Sequence, residues 1–142
     1  MREVAFEVLT NCQSAEVRKY AFELLDAGIN QSLAIRMLLC NYTANDKQLL
    51  LTELCKIKVD YRDKSDWHGI GSKILQVKDQ NVRLPKEFFI YIYENTLCSC
   101  CRESAVRALA KRQWLTKKMI EECRYDSNYE ISEYVNRYYR NK

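Results

Sequence analysis

The sequence predicts an all-α protein, and three observations support this fold class. Only three glycines and one proline occur in 142 residues, whereas sheets with many tight turns need more of both. Apolar side chains recur over residues 17–25 at the i, i+3, i+4, i+7 spacing of a helix that is buried along one face. The phrase Val-Arg-x-x-Ala occurs at 17–21 and again at 106–110. A recurring helix that cannot bury its apolar face alone has to stack on copies of itself.

The N-terminal half predicts four helices, at about 4–12, 15–27, 31–42 and 45–58. Ser14 is placed to cap the second helix, and Gly28 is placed to end it in the left-handed conformation. The third helix has apolar side chains of its own on nearly all sides, which predicts that it lies between neighbouring helices. Asn45 or Asp46 is expected to cap the fourth. We expect these helices to pair in sequence order, the first with the second and the third with the fourth.

In the C-terminal half we expect an irregular segment at about 58–84, which contains a helix at about 66–80. Four further helices are predicted after it, from Pro85 to about Thr96, at 101–113, at 116–124, and from about 127 to Arg140. Pro85 suits the first position of a helix, where its missing N–H costs nothing. A strand at 88–93 is the alternative there, given its aromatic and β-branched residues. Thr116 is expected to begin one of the last helices, and Asp126 or Ser127 to cap the other. The total is about nine helices joined by short links, in a single domain over 1–142.

Residues 14–21 and 104–110 resemble the second helix of HEAT (armadillo-type) repeats, in which a polar cap precedes Val-Arg-x-x-Ala. Weaker copies at 46–54 and 126–135 keep the cap and the apolar positions but lack the arginine. The resemblance implies a right-handed α–α superhelix of antiparallel HEAT-like helix pairs. It also implies that Arg18 and Arg107 have a structural role between neighbouring repeats.

The resemblance implies a non-enzymatic protein-interaction or scaffold module that binds another protein and needs no cofactor. The motifs agree with this, because the sequence has no Walker loop, no Ser/His/Asp order and no His-Glu-x-x-His. Gly69-x-Gly71 lacks the third glycine of a dinucleotide-binding loop. The sequence leaves the oligomeric state and the partner open.

Seven cysteines, an odd number, do not form the pattern of a disulfide framework. The N-terminus lacks the pattern of a signal peptide, and no apolar run approaches the roughly 20 residues of a membrane span. We therefore predict a cytoplasmic protein without membrane contact, whose thiols act as small buried hydrophobic groups. A start almost inside a helix is compatible with one section of a longer protein.

The run Cys98-Ser99-Cys100-Cys101 is expected to form a junction between helices with partly buried thiols. A redox-responsive pair and adventitious metal binding remain alternatives. Structural zinc usually takes a second pair of ligands, which is absent here, and no cysteine lies near His68 in the sequence. The sequence therefore predicts neither a metal site nor a catalytic residue.

The last third of the chain is basic, with ten Lys or Arg and six Asp or Glu over 101–142. The resulting excess of four positive charges equals the net charge of +4 of the whole chain. This offers a second hypothesis, nucleic-acid binding, as in HEAT-like DNA alkylation-repair proteins. The pI of about 8.6 is modest for that role. The residues expected on such a surface, or on a protein-binding surface in the same place, are Arg102, Lys111, Arg112, Lys117, Lys118 and Arg137.

Overall fold

The structure, a computed structural model, describes residues 2–57 and 65–140, and in these ranges it contains helices and no strand. The helices are α1 (Arg2–Leu9), α2 (Ala15–Asp26), α3 (Gln31–Cys40), α4 (Lys47–Lys56), α5 (Ser65–Gln76), α6 (Lys86–Asn95), α7 (Ser99–Lys111), α8 (Lys117–Arg124) and α9 (Tyr129–Tyr138). Short 3₁₀ turns precede α4 (Ala44–Asp46) and follow α5 (Val77–Gln80). The all-α prediction is confirmed, and residues 88–93 lie within α6 rather than in a strand.

Local sequence signals define several helix ends as predicted. The Ser14 hydroxyl accepts a hydrogen bond of 3.1 Å from the backbone N–H of Val17, and so caps α2. Gly28 has a φ of +67°, the left-handed conformation expected after the last turn of that helix. The Thr116 hydroxyl caps α8 in the same way as Ser14 caps α2. Pro85 lies directly before α6 rather than in its first turn.

Neither predicted carboxylate, at Asp46 or Asp126, caps the following α-helix through a hydrogen bond. Each contacts an arginine distant in the sequence and accepts from a backbone N–H outside that helix. Asp46 precedes α4 but makes no capping hydrogen bond to it, and it pairs instead with Arg18 of α2. Asp126 lies 3.0 Å from Arg102 of α7. The cap of α9 is Asn128, whose side chain accepts from the N–H of the second residue of that helix.

Helix α3 lies at the centre of the N-terminal half. It packs against α2, α4 and α5, which confirms the prediction of a helix between neighbours. The buried residues of α3 are Ala34, Ile35, Met37, Leu38, Leu39 and Cys40. Fully burying one side chain of this size stabilises the folded state by about 1.5–3 kcal/mol. Covering α3 is therefore a dominant requirement of the fold.

The closest helix pairs in the described ranges are α2 with α3, α6 with α7, α3 with α5, and α8 with α9. The sequence predicts that α1 pairs with α2 and α3 with α4, but α2 packs most closely against α3. An α3 that is apolar on all sides packs against the preceding helix as well as the next.

In the segment predicted to be irregular, residues 58–64 lie outside the described ranges, while α5 is a regular helix. Through Trp67, Ile70 and Ile74, α5 buries its apolar face and connects α3 to α7. One hydrophobic cluster extends from α2 to α9.

Arg18 fastens α2 to the link that follows α3. Its two terminal nitrogens each donate to one carboxylate oxygen of Asp46 at 2.6 Å, and one of them also donates to the carbonyl oxygen of Asn41 at 3.0 Å. The Asp46 side chain is only 5% exposed. Burial by itself would raise the pKa of Asp46, but hydrogen bonds from Arg18 and Thr43 outweigh it and hold this pKa below its ordinary value of 3.8.

Replacing Asp46 with Asn should lower the free energy of unfolding by about 2 kcal/mol at neutral pH, because a half-buried guanidinium loses its charged partner. The pKa of Asp46 is lower in the folded state than in the unfolded state. Its contribution is therefore present above pH 3.8 and is lost as the pH falls through the folded-state pKa. Urea unfolding of both proteins across an acid pH series measures this difference.

The matched control is Glu23→Gln, which removes the exposed pair of Glu23 with Lys19 at 3.9 Å. We expect it to leave stability unchanged, because exposed ion pairs contribute little. If the free energies of unfolding of the wild type and Asp46→Asn differed by the same amount down to the lowest pH, this would contradict an ionic role for Asp46.

Candidate functional site

The two arginines of the repeated phrase make different contacts. Arg18 reaches Asp46 beyond α3, whereas Arg107 donates to Glu103 one turn earlier in its own helix at 2.8 Å. The Arg107 guanidinium also lies 4.3 Å from the ring centroid of Tyr134 in α9, a cation–π contact between helices. The contacts of both arginines favour a structural role, which stays a prediction.

The six residues predicted to form a binding surface differ in their surroundings. Three face carboxylates: Arg102 lies 3.0 Å from Asp126, Lys118 lies 3.7 Å from Glu122, and Arg137 lies 2.5 Å from Glu133. Arg112 lies over the rings of Phe89 and Trp114 at 4.9 and 5.2 Å. Lys111 and Lys117 are exposed and form no ion pair within the described ranges. Four of the six cationic side chains therefore have partners within the protein, although Lys118 and Arg137 remain 85% and 77% exposed.

A groove of about 380 Å³ opens where the link between α6 and α7 meets the link between α8 and α9. We call it the link groove. Its lining residues are Thr96, Leu97, Cys98, Ser99, Arg102, Glu122, Tyr125, Asp126, Ser127 and Asn128. Of the six predicted surface residues, only Arg102 lines this groove, and Arg137 lines a separate hollow along α9.

The rim of the link groove carries exposed apolar and aromatic side chains. Tyr125 is 82% exposed and Leu97 is 37% exposed. Tyr129 is 68% exposed, directly follows the groove residue Asn128, and lines the hollow along α9. The sequence places these tyrosines in the basic third, but only the structure shows that two of them point into solvent beside a groove.

The floor of the link groove is a fixed polar network. The Tyr93 hydroxyl donates to a carboxylate oxygen of Glu122 at 2.8 Å, and burial raises the pKa of Tyr93. The Arg102 guanidinium lies 4.6 Å from the centroid of the Tyr93 ring and contacts Asp126. The charges of the floor are therefore compensated, and the rim has the side chains that are available for contact.

A second site lies beside the groove, where α5 packs on the start of α7. Cys98 is the N-cap residue of α7 and Cys101 follows within the first turn, while His68 comes from the first turns of α5. The Cys101 sulfur lies 3.6 Å from Nδ1 of His68. The ligand atoms of all three residues lie within 4.8 Å of one another. We call this group the thiol–imidazole cluster.

The two thiols of the cluster have opposite pKa shifts. Burial raises the pKa of Cys98, but hydrogen bonds from Cys101 and Cys100 at the helix N-terminus outweigh it, so the net shift is downward. Burial and the neighbouring Cys98 raise the pKa of Cys101 to about 12. Neighbouring thiols of one helical turn therefore differ in acidity, with Cys98 the more acidic.

The predicted junction at 98–101 is confirmed, because α6 ends before it and α7 begins within it. The prediction that the thiols are small buried hydrophobic groups is only partly right. The buried thiols are Cys40, Cys101 and Cys123. The exposed ones are Cys12, Cys55 and Cys100, and Cys98 is half-buried. Sequence reasoning missed the cluster because its histidine and its cysteines are brought together only by the packing of α5 against α7.

Comparison with known proteins found no match, whether against family models, curated proteins or solved structures. The function therefore has to be argued from the sites themselves. Over the two described ranges, none of the helices has the length and apolar character that crossing a bilayer requires.

Replacing Arg107 with Ala should lower stability by about 1 kcal/mol, because the variant loses the stack on Tyr134 and the pair with Glu103. Thermal unfolding measures the change. Arg137→Ala is the matched control, since Arg137 pairs only with Glu133 of its own helix, and there we expect no measurable shift. An unchanged melting temperature for Arg107→Ala would show that this arginine has no structural role.

Proposed function

We propose that the chain is a non-enzymatic interaction module, a right-handed HEAT-like array of antiparallel helix pairs that binds another protein through the link groove. The observation that carries the proposal is the exposure of Tyr125, which lines this groove, and of Tyr129, which follows the groove residue Asn128 and lines the neighbouring hollow along α9. Tyrosine is enriched at the energetic centres of protein interfaces, where its ring and hydroxyl both contribute. The close packing of three sequential pairs, α2–α3, α6–α7 and α8–α9, supports the array, and α5 packs on α3 from outside these pairs.

The groove suits a partner segment that has both apolar and hydrogen-bonding groups. An apolar side chain of the partner would pack between Leu97 and Tyr125, and polar groups would meet the hydroxyl and amide side chains of Ser127 and Asn128. The internal pairing of Arg102 and Asp126 means that no free charge of the floor has to be desolvated on binding. The partner therefore needs shape and apolar surface more than charge.

A reducing, cytoplasmic setting belongs to the same proposal. Three of the seven thiols are exposed and one more is half-buried. In an oxidising compartment such thiols pair or become modified, whereas the cytosol keeps them reduced.

A photo-reactive amino acid in place of Ser127 should cross-link the partner in cells, because Ser127 is exposed and lines the groove. The control position is Lys19, which is exposed on α2. With the captured partner purified, Tyr125→Ala and Tyr129→Ala should each weaken binding at least about tenfold, without a change in melting temperature. Equal cross-linking from both positions, or unchanged affinity of both tyrosine variants, would contradict the proposal.

Nucleic-acid binding by the basic third is the second candidate, and Lys111 and Lys117 are the observation in its favour. Both are exposed and lack an ionic partner within the described ranges, and they flank the link between α7 and α8. It is the weaker candidate because Arg102, Lys118 and Arg137 already face carboxylates.

Fluorescence anisotropy with duplex and single-stranded DNA at two ionic strengths separates the two functions. If phosphates are bound, the logarithm of the affinity should fall with the logarithm of the salt concentration, with a slope of about −0.9 for each neutralised phosphate. The double variant Lys111→Gln/Lys117→Gln should reduce this slope, while Lys19→Gln should not. Absence of binding at low salt would exclude the nucleic-acid candidate.

A further inference from the structure

The thiol–imidazole cluster holds the only histidine of the chain against two of its seven cysteines. Its sulfur and nitrogen atoms are grouped within 4.8 Å although they come from two different helices. Neither the interaction module nor the link groove requires this grouping. Two sulfurs and one imidazole nitrogen form a ligand set that zinc commonly takes in proteins.

We propose that Cys98, Cys101 and His68 bind a divalent zinc-class cation, which links α5 to the start of α7. The proposal is independent of the proposed interaction function. Binding displaces one proton from each of the two thiols to solvent, and the imidazole coordinates as the neutral base, so no oxidant or reductant takes part.

The separation between the Cys101 sulfur and the His68 nitrogen fits a tetrahedral ion. With Zn–S near 2.3 Å and Zn–N near 2.0 Å, a sulfur and a nitrogen of one zinc ion lie roughly 3.5 Å apart. The observed separation of the Cys101 sulfur and Nδ1 of His68 is 3.6 Å. The Cys-x-x-Cys spacing places both thiols in one turn at the start of α7, as in many zinc sites.

Ser72, one turn after His68 in α5, contacts the imidazole of this histidine. Its hydroxyl lies 3.5 Å from Nε2 of His68, the nitrogen that does not face Cys101. A partner on the second nitrogen is the usual way in which a metal-binding histidine is oriented.

The ligand set also limits which cation can bind. Calcium and magnesium prefer oxygen ligands, and none is part of the cluster. Sulfur and imidazole together favour zinc or a similar transition-metal ion. Three protein ligands leave one tetrahedral position for water or for a donor atom of another molecule, and the exposure of His68 leaves solvent access to the site.

The test uses the full chain, reduced with a phosphine and stripped with a chelator, and titrated first with Co²⁺ and then with Zn²⁺. We expect one equivalent of Co²⁺ to produce a thiolate-to-cobalt charge-transfer band and tetrahedral d–d bands, and Zn²⁺ to remove both. Zn²⁺ should raise the melting temperature, and the rise should continue with the logarithm of the free Zn²⁺ concentration once this exceeds the dissociation constant.

Cys98→Ser and His68→Asn should each lower the Zn²⁺ affinity at least about 100-fold, and Ser72→Ala about tenfold, since loss of a supporting partner alone costs 10–100-fold. Cys98→Ser should still fold, because serine is a preferred N-cap residue. The matched control is Cys100→Ser, which removes an exposed thiol of the same helical turn that is not part of the cluster, and it should bind as the wild type does.

The proposal is overturned if the reduced wild type takes up no metal, or if Cys98→Ser and His68→Asn bind Zn²⁺ with unchanged affinity. It is also overturned if Cys100→Ser loses as much affinity as Cys98→Ser. Formation of a Cys98–Cys101 disulfide in a glutathione buffer that contains Zn²⁺ would identify a redox pair instead.

Discussion

The burial of α3 on all its sides is the constraint on which the rest of the structure depends. An exposed face of α3 would leave large aliphatic side chains in water, so α2, α4 and α5 have to cover it. The position of α5 then follows, and because α5 also packs on α7, the two halves of the chain share one core. Both candidate sites lie where this arrangement brings separate helices together.

The parts of the fold that could be predicted from the sequence are those that neighbouring residues decide. The cap at Ser14 and the left-handed turn at Gly28 depend on side chains and backbone within one helical turn, and the structure has both. The capping roles predicted for Asp46 and Asp126 were wrong because arginines far along the chain compete for those carboxylates. The packing of α2 against α3 is likewise a choice between several apolar faces, which a one-dimensional pattern does not decide.

The candidate sites were less predictable for the same physical reason. The Cys-x-x-Cys spacing of Cys98 and Cys101 is visible in the sequence, but its third partner, His68, precedes Cys98 by 30 residues and lies in α5, a helix that only tertiary packing brings near. The basic residues show the converse. Their number suggests a charged surface. The pairs of Lys118 and Arg137 follow from the i, i+4 spacing within one helix, whereas the pair of Arg102 with Asp126 becomes apparent only when a helix and a link lie side by side.

Cys98 belongs to two places at once, because it lines the link groove and is a member of the thiol–imidazole cluster. Any free energy by which occupancy of one site alters the other must therefore act equally in both directions, as thermodynamic linkage requires. If cation binding raises the affinity for a partner, partner binding raises the affinity for the cation by the same factor. Through this one cysteine, the metal ion available in the cell would affect the assembly of a complex, and the assembly of the complex would affect metal binding.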